Sequence, residues 1–282
     1  MASVPWPAPA KLNLFLHIVG RRADGYHLLQ TAFQFLDHND WLYLSPRRDT
    51  GVRLLSPVPG VPAESDLTIR AARLLQRHCG VRQGVEIRVD KRLPMGGGLG
   101  GGSSDAATAL VALNALWDTG LANDELAGLG LQLGADVPVF VRGHAAWAEG
   151  VGEQLTPLDL TEPWYVVLVP PVTVSTAGVF AAPELTRNTR AITISDFLSG
   201  AGHNDCEAVV RRRYPAVAEA LDWLDGFAPA RLTGTGACVF APFTDAGEAG
   251  NVLGRLPRGW SGFVARGCNR SPLLTRLERG VD

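Results

Sequence analysis

Polar and apolar residues alternate near the start of the chain, from Lys11 to Val19. A period of two is typical of a β-strand that buries one face. The predicted buried face carries Leu12, Leu14, Leu16 and Ile18, and the half-polar face carries Lys11, Asn13, Phe15 and His17.

The following segment predicts a hairpin. Arg22-Ala23-Asp24-Gly25 consists of residues that favour turns, and a second strand-like run extends from Leu28 to Leu36. We therefore expect Tyr26 and His27 to lie near the bend.

A glycine run interrupts the regular patterns in the middle of the first half. The spacing predicts a helix over Leu67 to His78 and a strand over Gly84 to Val89, before the run Met95 to Ser104. A helix is predicted after the run, with Ser103 or Ser104 as its cap, Asp105 in its first turn and Gly120 at its end. Its buried stripe would be Ala106, Ala109, Leu110, Leu113 and Leu116 or Trp117, and a second helix is predicted from about Asn123 to Leu133.

The second half begins with a proline-bearing connection, Pro157 to Pro163, where we place the domain boundary. The chain has 282 residues, and at roughly 150 residues per domain this length suggests two domains. We expect domains at 1–157 and 158–282, each mixing helices and strands in an α+β fold. The elements predicted in the second half are a strand at Trp164 to Val169, a capping box at Asn204 to Glu207, a helix at Ala216 to Phe227, strands within Arg231 to Phe240, a helix at Asp245 to Leu256 and a strand at Gly262 to Gly267.

Composition and charge exclude several classes of protein. A formal net charge of −2 disfavours a general nucleic-acid binder, and no apolar run reaches the ~18 to 20 residues of a membrane-spanning helix. Met1 to Ala10 lacks the basic start of a signal peptide, so a cytoplasmic location is expected. The four cysteines lie far apart, which indicates neither a disulfide framework nor a structural metal site.

Lysine is almost absent. Lys11 and Lys91 are the two lysines among 26 basic residues, and the rest are arginines. In such a background a retained lysine marks a position that needs a compact ammonium group, so both lysines are candidates for the functional site.

The glycine run is the strongest chemical signal. Six of the seven residues from Gly96 to Gly102 are glycines, between a predicted strand and a predicted helix. Such a backbone can wrap around a phosphate, whose charge the start of the helix also favours. A dinucleotide site would need a following strand with a terminal acid, and a Walker loop would need Lys-Ser or Lys-Thr where the chain has Ser103-Ser104.

Pro94 to Ala107 resembles the phosphate loop of the GHMP kinases, and four further motifs resemble one branch of that family. The resemblance implies a two-lobed fold, with an ATP-binding, ribosomal-protein-like N-terminal lobe and a ferredoxin-like C-terminal lobe. It also implies transfer of a phosphoryl group from ATP, with Mg²⁺, to a cytidine diphosphate sugar alcohol on a route to isoprenoid precursors. The further motifs are Pro9 to Leu14, Asp24 to His27, Leu133 to Phe140 and Leu232 to Ala237.

The resemblance also implies roles for individual residues. Lys11 and Asp136 would be catalytic, and Asn13 and Asp136 would contact the substrate. Whether Asp136 accepts the hydroxyl proton or only orients the hydroxyl stays open, and Asp136 could instead simply cap a helix that begins near Pro138. The expected nucleotide contacts are Asp66, Lys91, Pro94, Met95, Gly96, Gly97, Gly98, Leu99, Gly100, Gly101, Gly102, Ser103 and Ser104.

The cytosine of such a substrate needs a flat apolar clamp, for which the resemblance implies Tyr26, His27 and Phe180, with Thr176 nearby. Two positions depart from the family pattern: Ala177 replaces a proline, and Asp66 replaces an asparagine near the adenine. An ionised Asp66 lacks the amide donors, which puts that contact in doubt.

Two other functions remain possible from the sequence. One is a kinase for a different small alcohol. The other is an RNA-binding module that uses the arginines, although the charge balance argues against RNA. We expect a small-molecule substrate, no nucleic-acid or membrane partner, and a monomer or homodimer.

Overall fold

The computed structural model describes residues 4–57 and 61–280. Within them, ten strands form one continuous sheet, and helices pack on it. No helix in these two ranges is long and apolar enough to cross a membrane.

The first two strands are longer than the sequence pattern predicts. Strands β1 (Trp6–Arg21) and β2 (His27–Arg47) pair antiparallel, and Tyr26 and His27 lie at their bend as predicted. The pairing of β1 with β2 shifts register at three places, one of them between Asn13 and Leu16, so the two faces do not alternate strictly. Phe15, predicted on the half-polar face, is consequently buried, whereas Leu14 is only partly buried.

The rest of the first half surrounds this hairpin. Strands β4 and β5 pair with different parts of β2 along the edge opposite β1, and β6 lies beside β5. The elements are β3 (Val52–Leu54), α1 (Leu67–Cys79), β4 (Gly84–Asp90), α2 (Gly101–Leu116), α3 (Asn123–Leu131), α4 (Val137–Arg142), β5 (Ala146–Glu149) and β6 (Gln154–Pro157).

The start and end predicted for α2 are wrong. Gly100, in the left-handed conformation at φ 74°, is its N-cap, so neither Ser103 nor Ser104 caps the helix. Asp105 consequently lies in the second turn. The helix ends at Leu116 with Trp117 as C-cap, before Gly120.

The second half contributes four strands to the sheet. Strand β10 pairs with β2 at Gly267 and Leu36 and with β7 along its length, and so joins the two halves. The elements are β7 (Trp164–Val169), α5 (Thr176–Phe180), α6 (Ile194–Leu198), α7 (Glu207–Arg213), α8 (Pro215–Asp225), β8 (Arg231–Leu232), β9 (Val239–Phe243), α9 (Ala246–Leu253), β10 (Ser261–Cys268) and α10 (Pro272–Glu278).

The predicted capping box at Asn204 to Glu207 does not form. Cys206 is the N-cap of α7 and has no side-chain capping bond. Asn204 instead accepts a hydrogen bond from the Cys206 backbone N–H and donates to the carbonyl oxygens of Leu232 and Gly234. It therefore fastens the turn after β8 rather than a helix start.

The two largest cores follow the two halves of the chain, with two exceptions. Leu273 of α10 packs in the first core, although α10 lies at the far end of the sequence. Leu16 and Ile18 of β1 pack in the second core. The boundary at 157/158 stays a prediction, and α10 returns across it.

Candidate active site

A cleft of about 1120 Å³ receives side chains from both halves of the chain. Of the predicted site residues, the structure brings all but one to this cleft. The exception is Ser104, which is fully buried. The predicted residues that line the cleft are Lys11, Asn13, Tyr26, His27, Asp66, Lys91, Pro94, Met95, Gly96 to Gly102, Ser103, Asp136, Thr176 and Phe180.

The glycine run folds into a loop that packs against the turn Thr233 to Gly236. Gly96, Gly98 and Gly100 all have positive φ, which glycine adopts without strain. A Cβ atom at Gly98 would lie 2.2 Å from the carbonyl oxygen of Thr233. Only glycine therefore fits where the two turns meet.

The start of α2 forms the end of this loop. The backbone N–H groups of its first turn have no partner within the helix and carry the positive end of the helix dipole. Ser103 lies in this turn and lines the cleft. An anion placed here would meet backbone donors and the Ser103 hydroxyl.

Lys11 is nearly inaccessible, with 3% of its side chain exposed. Its ammonium donates to Asn13 Oδ1 and to the carbonyl oxygen of Gly98, 3.1 Å away. Asn13 is itself oriented, because its Nδ2 donates to Thr31 Oγ1 at 3.0 Å. The fixed ammonium thus joins strand β1 to the glycine loop.

Asp136 lies beside Lys11 in the cleft. Its Oδ2 is 3.3 Å from the Lys11 ammonium, and 35% of the Asp136 side chain is exposed. It occupies the N-cap position of α4 but makes no side-chain capping hydrogen bond. The capping alternative is therefore not realised. One partly accessible carboxylate and one buried ammonium meet beside the loop.

Lys91 is the centre of a charge cluster behind the loop. Its ammonium contacts Asp40 Oδ2 and, at 2.8 Å, Asp105 Oδ2. Asp40 also accepts from the backbone N–H groups of Arg92 and Leu93. The cluster joins strand β2, the entry of the loop and helix α2.

Burial changes the protonation of this cluster. It raises the pKa of Asp105 to about 7, against the opposing effect of Lys91. Burial also disfavours the charge of Lys91, but Asp105 and Asp40 outweigh it and raise the pKa of the ammonium. No sequence pattern marks Asp40 or predicts the proximity of Asp105, since they lie 51 and 14 residues from Lys91 in the chain.

Asp66 lies at the other end of the cleft and caps helix α1. Its Oδ1 accepts from the backbone N–H groups of Thr68 and Ile69, at 2.8 and 3.3 Å. The carboxylate therefore has a structural role at this position, whatever it contributes to a nucleotide.

The opposite end of the cleft contains the predicted aromatic clamp. The rings of His27 and Phe180 are stacked, with centroids 5.0 Å apart and planes 23° from parallel. Tyr26 is 63% exposed, and among the described residues it forms no such ring contact. Thr176 joins this end to the turn after β8, since its hydroxyl lies 2.9 Å from the hydroxyl of Thr235.

Family models and curated relatives that match this chain are kinases, as the geometry of the cleft suggests. Residues 66–144 match the family model of the GHMP kinases N terminal domain, and residues 182–262 match that of the GHMP kinases C terminal. The chain is 64% identical over 274 residues to a protein of Nitrosococcus oceani named 4-diphosphocytidyl-2-C-methyl-D-erythritol kinase, covering 97% of this chain and 98% of the relative. A Halorhodospira halophila protein of the same name is 62% identical over 275 residues, covering 96% of both chains.

The chain belongs to the GHMP kinase family. Within it, these relatives place the chain in the branch of the 4-diphosphocytidyl-2-C-methyl-D-erythritol kinases, and this GHMP kinase uses ATP as its family does.

Solved structures support the fold assignment. A crystal structure of 4-(cytidine 5'-diphospho)-2C-methyl-D-erythritol kinase matches with a TM-score of 0.83 at 32% identity, covering 94% of this chain and 99% of that one. A crystal structure of mevalonate kinase matches with a TM-score of 0.71 at 16% identity, covering 95% of this chain and all of that one. The two-lobed kinase fold predicted from the sequence is thus confirmed. Of these two structures, the 4-(cytidine 5'-diphospho)-2C-methyl-D-erythritol kinase is the more similar in sequence.

Proposed function

We propose that this GHMP kinase transfers the γ-phosphoryl group of ATP to the 2-hydroxyl of 4-diphosphocytidyl-2-C-methyl-D-erythritol, giving the 2-phosphate and ADP. The observation that carries the proposal is the position of the Lys11 and Asp136 pair. It lies in one cleft with the glycine loop, where phosphates fit, and with the His27 and Phe180 stack, where a pyrimidine fits.

The loop and Lys11 supply positive charge to the transferring phosphoryl group. Phosphoryl transfer asks a protein mainly for positioning and for stabilisation of charge on the phosphoryl oxygens. The backbone N–H groups at the start of α2 are fixed donors, and the Lys11 ammonium is held by Asn13 and Gly98 before substrate arrives. Because both are preorganised, they need little rearrangement in the transition state.

Asp136 acts on the acceptor hydroxyl. Its carboxylate is partly open to the cleft and makes no capping bond, so an oxygen is available to accept a hydrogen bond from the substrate hydroxyl. In a loose transition state the hydroxyl becomes acidic late, as the new P–O bond forms, and Asp136 accepts its proton then.

Mg²⁺ fits this site as a companion of ATP. In such sites it keeps several waters and takes only one or two protein oxygens beside the phosphates, where it neutralises phosphate charge. Ser103, at the start of α2, lines the cleft and would offer its hydroxyl oxygen to the ion. No group of three or more His, Cys, Asp or Glu side chains that could hold a metal ion occurs in the described part of the chain.

The proposed reaction belongs to the methylerythritol phosphate route to isoprenoid precursors. Since both substrates are charged, water-soluble phosphate esters and ATP is a cytoplasmic metabolite, we place the enzyme in the cytoplasm.

The test is ADP release by purified protein with Mg·ATP and the cytidyl substrate. Lys11→Ala is expected to lose activity by ~10²-fold or more, because a preorganised charge is removed. Asp136→Asn keeps a hydrogen-bonding side chain but cannot accept a proton, and the same loss of ~10²-fold is expected. Asp222→Asn is the matched control, since Asp222 is an exposed carboxylate of α8 that pairs with Arg211.

Two outcomes would each contradict one part of the proposal. Full activity in folded Asp136→Asn would show that Asp136 does not accept the proton and only orients the hydroxyl. Faster turnover of mevalonate or homoserine than of the cytidyl substrate would assign the chain a different acceptor.

A further inference from the structure

We propose that Arg187 is a positioning residue that holds His27 in one neutral tautomer and in its stack with Phe180. Arg187 is not among the described residues that line the cleft, so it acts through its neighbours. The inference rests on the proposed function, because it gives His27 and Phe180 the role of receiving the cytidine end of the substrate.

Arg187 forms four hydrogen bonds with the wall behind the aromatic clamp. One terminal nitrogen donates to the carbonyl oxygens of Phe180 and Ala182, at 2.9 and 2.7 Å. The other donates to the carbonyl oxygen of Leu185 at 3.0 Å. Since Phe180 ends α5 and the next residues lack regular structure, the guanidinium fixes the backbone that carries the Phe180 ring.

The fourth hydrogen bond crosses to the other half of the chain. Arg187 Nε lies 3.2 Å from His27 Nε2, at the bend of the hairpin. A guanidinium nitrogen can only donate, so His27 Nε2 must accept. The proton of a neutral His27 therefore resides on Nδ1, which becomes the donor of the ring.

A protonated His27 is incompatible with this contact, because two N–H donors would face each other. Burial, then the charges of Arg187 and Arg21, lower the pKa of His27. The other two charged groups at the bend, Asp24 and Arg22, pair with each other at 2.8 Å. The wall of the clamp is thus a neutral ring with a fixed donor.

This arrangement suits a pyrimidine ring. A neutral imidazole stacked on Phe180 offers a flat apolar surface, and a single donor on its edge can meet a ring acceptor of cytosine. A charged imidazole would carry protons on both nitrogens and would lose the Nε2 acceptor that Arg187 contacts. Arg187 therefore serves the cytidine end of the cleft and has no contact with the glycine loop.

The first arm of the test separates binding of the two substrates. Arg187→Gln is expected to raise KM for the cytidyl substrate roughly tenfold at pH 7, with KM for ATP unchanged. Its KM for the cytidyl substrate should rise further as the pH falls through about 6.5, because His27 then protonates near its ordinary pKa. Arg190→Gln is the matched control, since Arg190 is exposed and lies three residues further along the same segment.

The second arm tests whether Arg187 acts through His27. In the double variant Arg187→Gln with His27→Gln, the pH-dependent part of the KM increase should disappear. If Arg187→Gln instead raises both KM values and lowers kcat to the same extent at every pH, the role of Arg187 is merely structural and the proposal is overturned.

The third arm needs no turnover and therefore separates this inference from the proposed function. NMR of ¹⁵N-labelled histidine reports the tautomer and titration of His27, assigned among the six histidines by its loss in His27→Gln. The intact protein should show the Nδ1–H tautomer, and Arg187→Gln should raise the pKa of His27. An unchanged pKa and tautomer in Arg187→Gln would overturn the inference even if the chain is the kinase. Should Arg187→Gln fail to fold, Arg187→Lys tests the rise in KM for the cytidyl substrate, because one ammonium keeps the charge but cannot replace the planar fork.

Discussion

Asp105 is a buried carboxyl whose protonation depends on its surroundings. It shares the ammonium of Lys91 with Asp40, and burial raises its pKa to about 7. In the unfolded chain its pKa is that of an ordinary aspartate, 3.8. Between these two values the folded protein holds a proton that the unfolded chain has released.

This difference predicts a dependence of stability on pH. Because the folded state binds more protons from about pH 4 to about pH 7, the free energy of unfolding contributed by Asp105 falls as the pH rises through that range. Asp105→Asn removes the titration, so it should stabilise the protein relative to the parent more at pH 8 than at pH 5. Urea denaturation at the two pH values measures this. An equal effect at both would show that Asp105 does not titrate in this range.

The two lysines show what single residues in the sequence can and cannot predict. Their scarcity marked Lys11 and Lys91 as candidates for the functional site, and both line the cleft. It could not indicate their partners, because Asp40 and Asp105 approach Lys91 only when β2 and α2 pack against the end of β4. The predicted nucleotide contact of Lys91 stays a prediction beside its observed contacts with two carboxylates.

At the scale of elements, the glycine loop and the turn Thr233 to Gly236 support each other. Backbone N–H groups of Ala237 and Cys238 donate to the carbonyl oxygens of Gly96 and Gly97, at 3.2 and 3.1 Å. The loop therefore gains its shape from contact with the second half and not from its own sequence alone.

Gly98→Ala tests this dependence. Its Cβ would collide with the Thr233 carbonyl oxygen, and its φ of 76° disfavours any residue but glycine. We expect KM for ATP to rise and kcat to fall by ~10-fold or more, since small displacements of positioning groups are costly. Gly128→Ala, at an open position inside α3, is the control and should leave activity intact. Normal kinetics in Gly98→Ala would mean that the loop tolerates the displacement.

The elements around the site were predictable where local pattern and tertiary packing agree. The strand Trp164 to Val169 has the predicted bounds, and helix α1 extends only one residue beyond its predicted end. The start of α2 was misplaced because the capping preference of serine yields to the left-handed Gly100. Strands β5 and β6 and helix α10 were missed, since such short segments depend on partners distant in sequence.

The whole molecule is held together by segments that return to the opposite half. Strand β10 connects the sheet of the second half to β2, and α10 then packs on the first core. The guanidinium of Arg276 in α10 lies 4.4 Å from the centre of the Trp6 ring in β1. The two halves are therefore expected to unfold together.

Leu273→Ala tests this coupling. The Leu273 side chain is fully buried, at 0% exposure, and its truncation should lower the free energy of unfolding by about 2 to 5 kcal/mol. Because α10 completes the first core, we expect tryptophan fluorescence and circular dichroism to give one coincident transition at a lower denaturant concentration. Leu198→Ala is the control, since Leu198 is 59% exposed and its loss should cost less than about 0.5 kcal/mol. Two separate transitions in the parent protein would show instead that each half folds alone, and that β10 and α10 dock between independent units.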